Sequence, residues 1–288
     1  MKIAITWACG FVGSYAVKYF EQEHDIIAFQ RQKSEMQDAT VYKKWDLRDT
    51  YSEDFDCDVF IHAAADTGYE KSKQVMITQN ALFNKNVLQL VNHSHCKHFI
   101  YISSSSVYQW ISGRIDESVE INEKNLVNSY SFSKYMTEKY IKENLRKDIK
   151  LTILRPRVIY GIWDRVLEPN ILKHQIFGRL ILIWNGKNST SLTDINYFIE
   201  TIETVMKQQK SSFEIYNISD RKTKKMETIY QELIWKYHLK WAIKIPLVII
   251  KTLYYFNPNK FSYLIDSFWC NKILDTSKYN AIYTSKLD

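Results

Sequence analysis

A chain of 288 residues, 45% hydrophobic and 25% charged, has the balance of a globular protein and the length for one large domain or one and a half. Its net charge of +7 is spread along the chain, which excludes a basic nucleic-acid arm and suits anionic ligands such as dinucleotides. The densest basic run, Arg221-Lys222-Thr223-Lys224-Lys225, is short and free of aromatics, so it reads as a solvated loop and no nucleic-acid partner is expected.

Taken in order, Lys2–Thr6 reads as a strand and Phe11–Gln22 as a helix. Asp25–Gln30, Val41–Trp45 and Asp58–His62 read as strands, then Lys73–Asn92 as a long helix. His98–Ser103 is a strand, Ser129–Arg146 a helix, and Lys150–Leu154 a strand ending at Arg155-Pro156. This alternation predicts an α/β fold, a doubly wound parallel (Rossmann) sheet. Residues 1–160 form the expected dinucleotide-binding domain. Residues 161–288 are mainly a smaller C-terminal substrate-binding lobe over the carboxyl edge, with some segments returning to the sheet. Within it Leu180–Trp184 and Phe213–Ile218 read as strands, Ile195–Gln208 and Thr228–Tyr237 as helices. The apolar run Ile243–Phe256, broken by Lys244, Pro246 and Lys251, is shorter than the ~20 residues of a membrane span and reads as a buried or surface-docking helix.

The four cysteines form no CxxC pair, as in a reducing cytosol. The short apolar N-terminal stretch runs into glycines and is no signal peptide, so a cytoplasmic location is expected. His93, His95, Cys96 and His98 cluster where a helix hands over to a strand, but no second ligand pair accompanies them, and no metal is expected.

Tyr130 and Lys134 lie four residues apart in a helical stretch and share one face. An ammonium beside a phenol favours the phenolate, so the pair predicts a Tyr130 pKa lowered from about 10 toward neutrality. Upstream, the hydroxyl run Ser103-Ser104-Ser105-Ser106 ends an apolar strand. Hydroxyl, phenol and amine together suit hydride transfer, in which a proton joins or leaves an alcohol as the hydride moves.

Thr6-Trp7-Ala8-Cys9-Gly10-Phe11-Val12-Gly13 links the first strand to the first helix, where a glycine loop brings a pyrophosphate to the helix N-terminus. Here the chain resembles the extended short-chain dehydrogenase/reductase family, the NAD-dependent epimerases and dehydratases, whose loop reads TGxxGFxG. The resemblance covers roughly residues 1–235. Asp58–Ala65, with Ala63, Ala64 and Ala65, is similar to the strand flanking the cofactor. Asp46-Leu47-Arg48-Asp49 is similar to the adenine-contacting segment, and Asn80 sits where the family places an Asn in a helix interior. Ser104–Tyr108 matches the active-site strand and Arg155–Gly161 the sequel to the sixth strand. The resemblance implies that Tyr130 exchanges a proton with the substrate oxygen, Lys134 tunes it and bonds the nicotinamide ribose, and Ser104 holds the substrate oxygen. The implied cofactor residues are Thr6, Trp7, Gly10, Phe11, Val12, Gly13, Gln30, Arg31, Asp46, Leu47, Ala63, Ala64, Ala65, Asn80, Lys134 and Pro156. The second strand ends in Gln30-Arg31 rather than in an acid, and Arg31 can pair with a 2′-phosphate, so NADP(H) is favoured over NAD(H). Many relatives pair through two helices, and the resemblance allows a homodimer through Lys73–Asn92 and Ser129–Arg146, although the apolar stripes of those helices fit core packing equally well.

Trp7, Trp45, Trp163 and Trp184 stand where the family pattern places glycine. The chain has 7 Gly against 8 Trp, whereas about 20 glycines are ordinary for this length. The pattern is what arises when a gene that reads UGA as glycine is translated with UGA as tryptophan. The rival expectation is a degenerate relative that has lost its dinucleotide. Ser105 and Ser106 occupy the positions of the dehydratases' Asp-Glu pair, so dehydration is disfavoured. There remain an NAD(P)-dependent epimerase or oxidoreductase acting on a sugar nucleotide or other small alcohol or ketone, a reductase similar to the 3β-hydroxysteroid dehydrogenase or dihydroflavonol reductase branches, and a non-catalytic dinucleotide sensor.

Overall fold

The computed structural model describes residues 1–31, 40–64, 72–164, 167–208 and 211–283. Seven parallel strands form the central sheet: β1 (Lys2–Thr6), β2 (Asp25–Gln30), β3 (Thr40–Lys44), β4 (Val59–His62), β5 (His98–Ile102), β6 (Lys150–Pro156) and β7 (Phe213–Ile218), in the order β7-β6-β5-β4-β1-β2-β3. The order reverses between β1 and β4, and a doubly wound sheet opens a crevice at the carboxyl ends of its strands at that point.

Strand periodicity divides the sheet between two cores. Ile3, Ile5, Ile26, Ala28, Val59, Ile61, Ile100 and Ile102 face α1 (Phe11–Phe20) and α4 (Ile195–Lys207), joining Val17, Phe20, Phe198 and Ile202. Ala4, Ile27, Phe29, Phe60, Phe99 and Tyr101 face α2 (Lys73–His93) and α3 (Ser129–Asn144), joining Val87, Val91, Ile141 and Leu145. Residues 195–218 thus return to the sheet, α4 beside α1 and β7 as its edge. The expected ends shift by only a few residues. Pro156 extends β6, because it pairs with Ile218 at the sheet's rim.

The remaining segments build the C-terminal lobe: α5 (Met226–Lys236), α6 (Leu247–Phe256) and α7 (Pro258–Trp269) around a three-stranded sheet of Gln175–Ile176, Arg179–Ile183 and Lys240–Ile245. The run Ile243–Phe256 is therefore not one helix. Ile243 and Ile245 pair with Ile181 and Ile183 as a strand, and Pro246, lacking an N–H, sits at the N-cap of α6. No helix among the described residues is long and apolar enough to cross a membrane.

Six non-glycine residues among those described have φ in the left-handed region: Trp7 (55°), Trp110 (67°), Trp163 (71°), Phe177 (49°), Trp184 (63°) and His238 (52°). Four are tryptophans, in a conformation that costs an L-residue about 1–2 kcal/mol and glycine nothing. Trp7, Trp163 and Trp184 were expected from the sequence, and Trp110 joins them. Trp45 does not share the conformation. It is buried edge-on against Phe29 at 5.1 Å and donates Nε1–H to Asp49 O at 2.9 Å.

Trp163 is 76% exposed, so Trp163→Gly forfeits little packing while relieving the backbone. The expected outcome in thermal unfolding is a Tm higher by a few degrees. An unchanged or lower Tm counts against strain at this turn.

Candidate active site

A cleft of about 470 Å3 lies over the carboxyl ends of β1, β4, β5 and β6, lined by Trp7, Gly10, Gly13, Ala63, Ser104, Tyr130, Lys134 and Pro156, among others. Each wall has a local cause. After β1 the chain turns into α1, whose N-cap, Gly10, offers no side chain to its first turn, leaving the N–H groups there for an anion. A Cβ on Gly13 would lie 2.2 Å from Trp7 O, so loop and helix approach as closely as only glycine permits. The backbone fits a dinucleotide pyrophosphate. The indole of Trp7 stands in the same wall, with Cδ1 3.6 Å from where a Gly10 Cβ would be, and narrows it.

Tyr130 is presented by the first turn of α3. Asn128 caps that helix, its Oδ1 accepting from the N–H groups of Tyr130 (3.0 Å) and Ser131 (3.2 Å). Asn128 Nδ2 donates to Asn259 O, and Asn259 Oδ1 accepts from Ser129 N at 2.7 Å. The start of α7 is thereby bolted to the start of α3, and α7 brings Tyr263 to the cleft. One turn along α3 lies Lys134, and a further turn Glu138.

Glu138 anchors the helix. It forms a buried ion pair with Arg155 of β6 at 2.5 Å and accepts Ser103 Oγ at 2.5 Å. Arg155 also donates to Tyr108 Oη at 2.8 Å, and Tyr108 donates to Asn217 of β7 at 2.9 Å. Ser103 is thus committed to the scaffold. Ser104 lines the cleft with Tyr130, whose phenolate it favours; its Oγ accepts Ser106 N at 3.1 Å. Buried Ser106 Oγ, a cleft-lining atom, has no hydrogen-bond partner.

The expected lowering of the Tyr130 pKa is reversed. Burial pushes the phenol up to about 12, against a smaller downward pull from Ser104. Lys134 Nζ donates to Ile102 O at 2.6 Å and lies 4.8 Å from the centroid of the Tyr101 ring, but 6.0 Å from that of Tyr130. Desolvation lowers the amine to about 7, with Glu138 opposing. Helical spacing brings the two residues together, but burial outweighs the charge effect that spacing suggested.

The other expected residues divide. Phe11, Val12, Gly10 and Gly13 line the cleft with Ala63 and Pro156. Thr6 is fully buried and spent on structure, its Oγ1 2.9 Å from His62 Nδ1 and accepting from Ala63 N and Ala64 N. Asn80 donates to Ser133 Oγ at 2.7 Å, joining α2 to α3 away from the cleft wall. Gln30 is buried, and Leu47 packs on the second core. Asp46 is held below the ordinary carboxylate range chiefly by Arg48, with a smaller contribution from exposed Arg31. Ala65 lies outside the described residues.

Arg157, Asn170 and Tyr263 line the cleft and were not foreseen. Arg157 lies within the matched Arg155–Gly161 segment, a signal that could have found it. Asn170 and Tyr263 come from the irregular second half, where no pattern marks them. His62 was likewise missed. It is buried, bonded to Thr6 and to Asn84 Oδ1 at 3.1 Å, and lowered to about 3 by burial and then by Lys134. His98 bonds Thr152 within the sheet, and no three His, Cys, Asp or Glu residues converge for a metal among the described residues.

The profile of the NAD dependent epimerase/dehydratase family matches residues 3–219, and the chain belongs to that family. It is 26% identical over 240 residues to the N-acetyl-α-D-glucosaminyl-diphospho-ditrans,octacis-undecaprenol 4-epimerase of Escherichia coli O157:H7, covering 81% of this chain and 71% of that one. It is 25% identical over 206 residues to the 2-alkyl-3-oxoalkanoate reductase of Stenotrophomonas maltophilia, covering 68% and 62%. In fold it is similar to UDP-glucuronic acid 4-epimerase from Bacillus cereus solved with NAD, at TM-score 0.75, 20% identity, and 100% and 94% coverage. The terminal R domain of the myxalamid biosynthetic pathway is also similar, at TM-score 0.77, 17% identity, and 98% and 84% coverage.

Two measurements check the site. Lys134 binds its proton more tightly unfolded (ordinary pKa about 10.5) than folded (about 7), so stability rises with pH between those values. Urea unfolding at pH 7 and pH 10 should show that rise, and Lys134→Met should flatten it. Arg155→Ala leaves Glu138 buried without its partner and should destabilise the fold by about 3–5 kcal/mol; an effect below about 1 kcal/mol would remove the pair from its anchoring role.

Proposed function

We propose that this protein is an NAD(P)-dependent oxidoreductase or epimerase that moves hydride to and from a carbinol or carbonyl carbon of a diphosphate-linked sugar. The reading rests on one observation: Ser104, Tyr130 and Lys134 line a single cleft that the glycine loop borders. The UDP-glucuronic acid 4-epimerase similar in fold was solved with NAD and with UDP-glucuronic acid.

A bound nicotinamide dinucleotide supplies the hydride or accepts it. The loop Trp7–Gly13, with Ala63 and Pro156, would hold it. Arg31 at the end of β2 would receive the 2′-phosphate of NADP(H), the form favoured here. Ser104 Oγ and Tyr130 Oη would address one substrate oxygen. With its phenol held near 12 by burial, Tyr130 is protonated at neutral pH and serves best as an acid. It would deliver its proton to a carbonyl oxygen as the neighbouring carbon is reduced. Lys134 would lie against the dinucleotide side of the phenol. Buried Arg157, which lines the cleft and whose Nε donates to Thr190 Oγ1 at 3.2 Å, would meet a substrate's diphosphate. Ser105 and Ser106 offer no acid for expelling a leaving group, so dehydration is not proposed.

A second reading has its own observation. An apolar cavity of about 330 Å3 shares Arg157, Val158, Asn170 and Tyr263 with the cleft. It would seat a substrate with an apolar arm, as for a reductase of the 3β-hydroxysteroid dehydrogenase or dihydroflavonol reductase kind. The similar undecaprenol-diphospho-sugar 4-epimerase and 2-alkyl-3-oxoalkanoate reductase act on compounds with such arms.

Substrate panels with NADPH and NADH decide between the readings. Epimerisation without net cofactor consumption supports the first, and stoichiometric NADPH oxidation with a ketone supports the second. In either case Tyr130→Phe should lower kcat by at least about 100-fold; an unaffected rate would remove Tyr130 from the proton transfer. Trp7→Gly should tighten NADPH in a fluorescence titration, and Arg31→Ala should weaken NADPH while sparing NADH. Equal losses for both cofactors would remove the 2′-phosphate assignment.

A further inference from the structure

Helix α6 (LVIIKTLYYF) has one charged side chain, Lys251, and its other side-chain polar atoms are the hydroxyls of Thr252, Tyr254 and Tyr255. Its inner face buries Leu247 and Ile250 in the lobe's core. The outer face is apolar as well: Val248 is 66% exposed, Ile249 49%, Tyr255 83% and Phe256 82%. Thr252 donates its hydroxyl to Val248 O and so needs no water. A helix apolar on both sides has an unsatisfied face in water.

The charge around it has one sign. From Leu233 to Ile265 the sequence contains five lysines and no acidic residue. Lys236 is paired with Glu168; Lys240, Lys244, Lys251 and Lys260 have no carboxylate partner among the described residues, and all four are exposed. Apolar side chains flanked by unneutralised lysines complement a surface that is oily beneath and negative on top. We propose that α6 docks this protein in the plane of an anionic phospholipid membrane. A second copy of the chain would carry the same positive charge to the contact and repel it. Docking does not depend on the reaction proposed above. It would, however, bring the apolar cavity to the lipid, because Ile250 and Ile245 line that cavity from the side of α6.

Flotation of the full-length protein with vesicles of mixed phosphatidylglycerol and phosphatidylcholine, against phosphatidylcholine alone, tests the docking. Binding should require the anionic lipid and weaken with salt. Lys244→Gln and Lys251→Gln should each lower partitioning about fivefold. Ile249→Glu with Phe256→Glu should abolish it while leaving circular dichroism and Tm unchanged. Failure to float with anionic vesicles overturns the proposal, as does binding that ignores the two glutamates. A solution dimer that those glutamates split would assign the face to a second copy instead.

A different observation carries a second inference. Positive φ is found in only a few per cent of non-glycine residues, yet half of the 8 tryptophans adopt it. Bulk and aromaticity do not favour that conformation, and absence of a Cβ does. We infer that Trp7, Trp110, Trp163 and Trp184 are glycines in the protein as its source organism makes it, encoded by UGA in a code that assigns this codon to glycine. Trp45 lacks the backbone mark and stands outside the inference. Sequencing of the gene with peptide mass spectrometry of the native protein tests it. UGA at the four codons, with glycine in the corresponding peptides, is expected. UGG there, or tryptophan in those peptides, overturns it.

Discussion

The buried pair between Arg155 and Glu138 is the constraint on which the rest of the site depends. It ties the carboxyl end of β6 to the middle of α3, and through Tyr108 and Asn217 it reaches β7. Two charges withdrawn from water are tolerated only when their geometry and remaining hydrogen bonds are satisfied. Here Ser103 and Tyr108 supply those bonds. With Glu138 fixed, the residues four and eight positions earlier on the helix face have no freedom of register. Lys134 falls on the Ile102 carbonyl, and Tyr130 falls beside Ser104. A scaffold interaction thereby sets the geometry of the three polar groups in the cleft.

That arrangement explains why charge and burial oppose each other at Tyr130. Holding α3 tightly over the sheet ends removes water from the phenol and the amine alike, and desolvation disfavours phenolate and ammonium together. The phenol rises as the amine falls. A half-buried acid with a high pKa beside a buried base with a low one keeps its proton at neutral pH and can release it to a stronger acceptor. Lys134 is close enough to influence His62, which its charge helps to hold neutral, so the field of this lysine extends toward β4 as well as toward the cleft.

The architecture was largely legible in the residues because its signals are local. Alternating apolar positions such as Ile3, Ala4 and Ile5 divide between two cores, and the glycine loop falls at the switch point. What was not legible depends on tertiary placement. Spacing put Tyr130 and Lys134 on one face but carried no information about how much water reaches it. Thr6 and Asn80 match family positions, yet each is spent bracing the scaffold through His62 and Ser133. In the second half, Ile243–Phe256 offers one continuous apolar signal for two elements, and only Pro246 marks the joint. Asn128 and Asn259 look like ordinary turn residues in the sequence; their mutual bonding across 131 positions couples the lobe to α3.

That contact places the lobe in the support of the cleft as well as in its wall. The Asn257-Pro258-Asn259 turn that begins α7 also ends α6, and Asn257 caps α7 through Lys260 N. One short junction therefore connects three things: the apolar outer face of α6, the wall of the apolar cavity, and the N-terminus of the helix carrying Tyr130. The two helices share the turn whose Asn259 meets Asn128, so the lobe is joined to the start of α3 by side-chain hydrogen bonds as well as by packing. The position of Tyr130 over the sheet ends is therefore fixed from two sides, by the Arg155–Glu138 pair beneath α3 and by the lobe's hydrogen bond at Ser129 N.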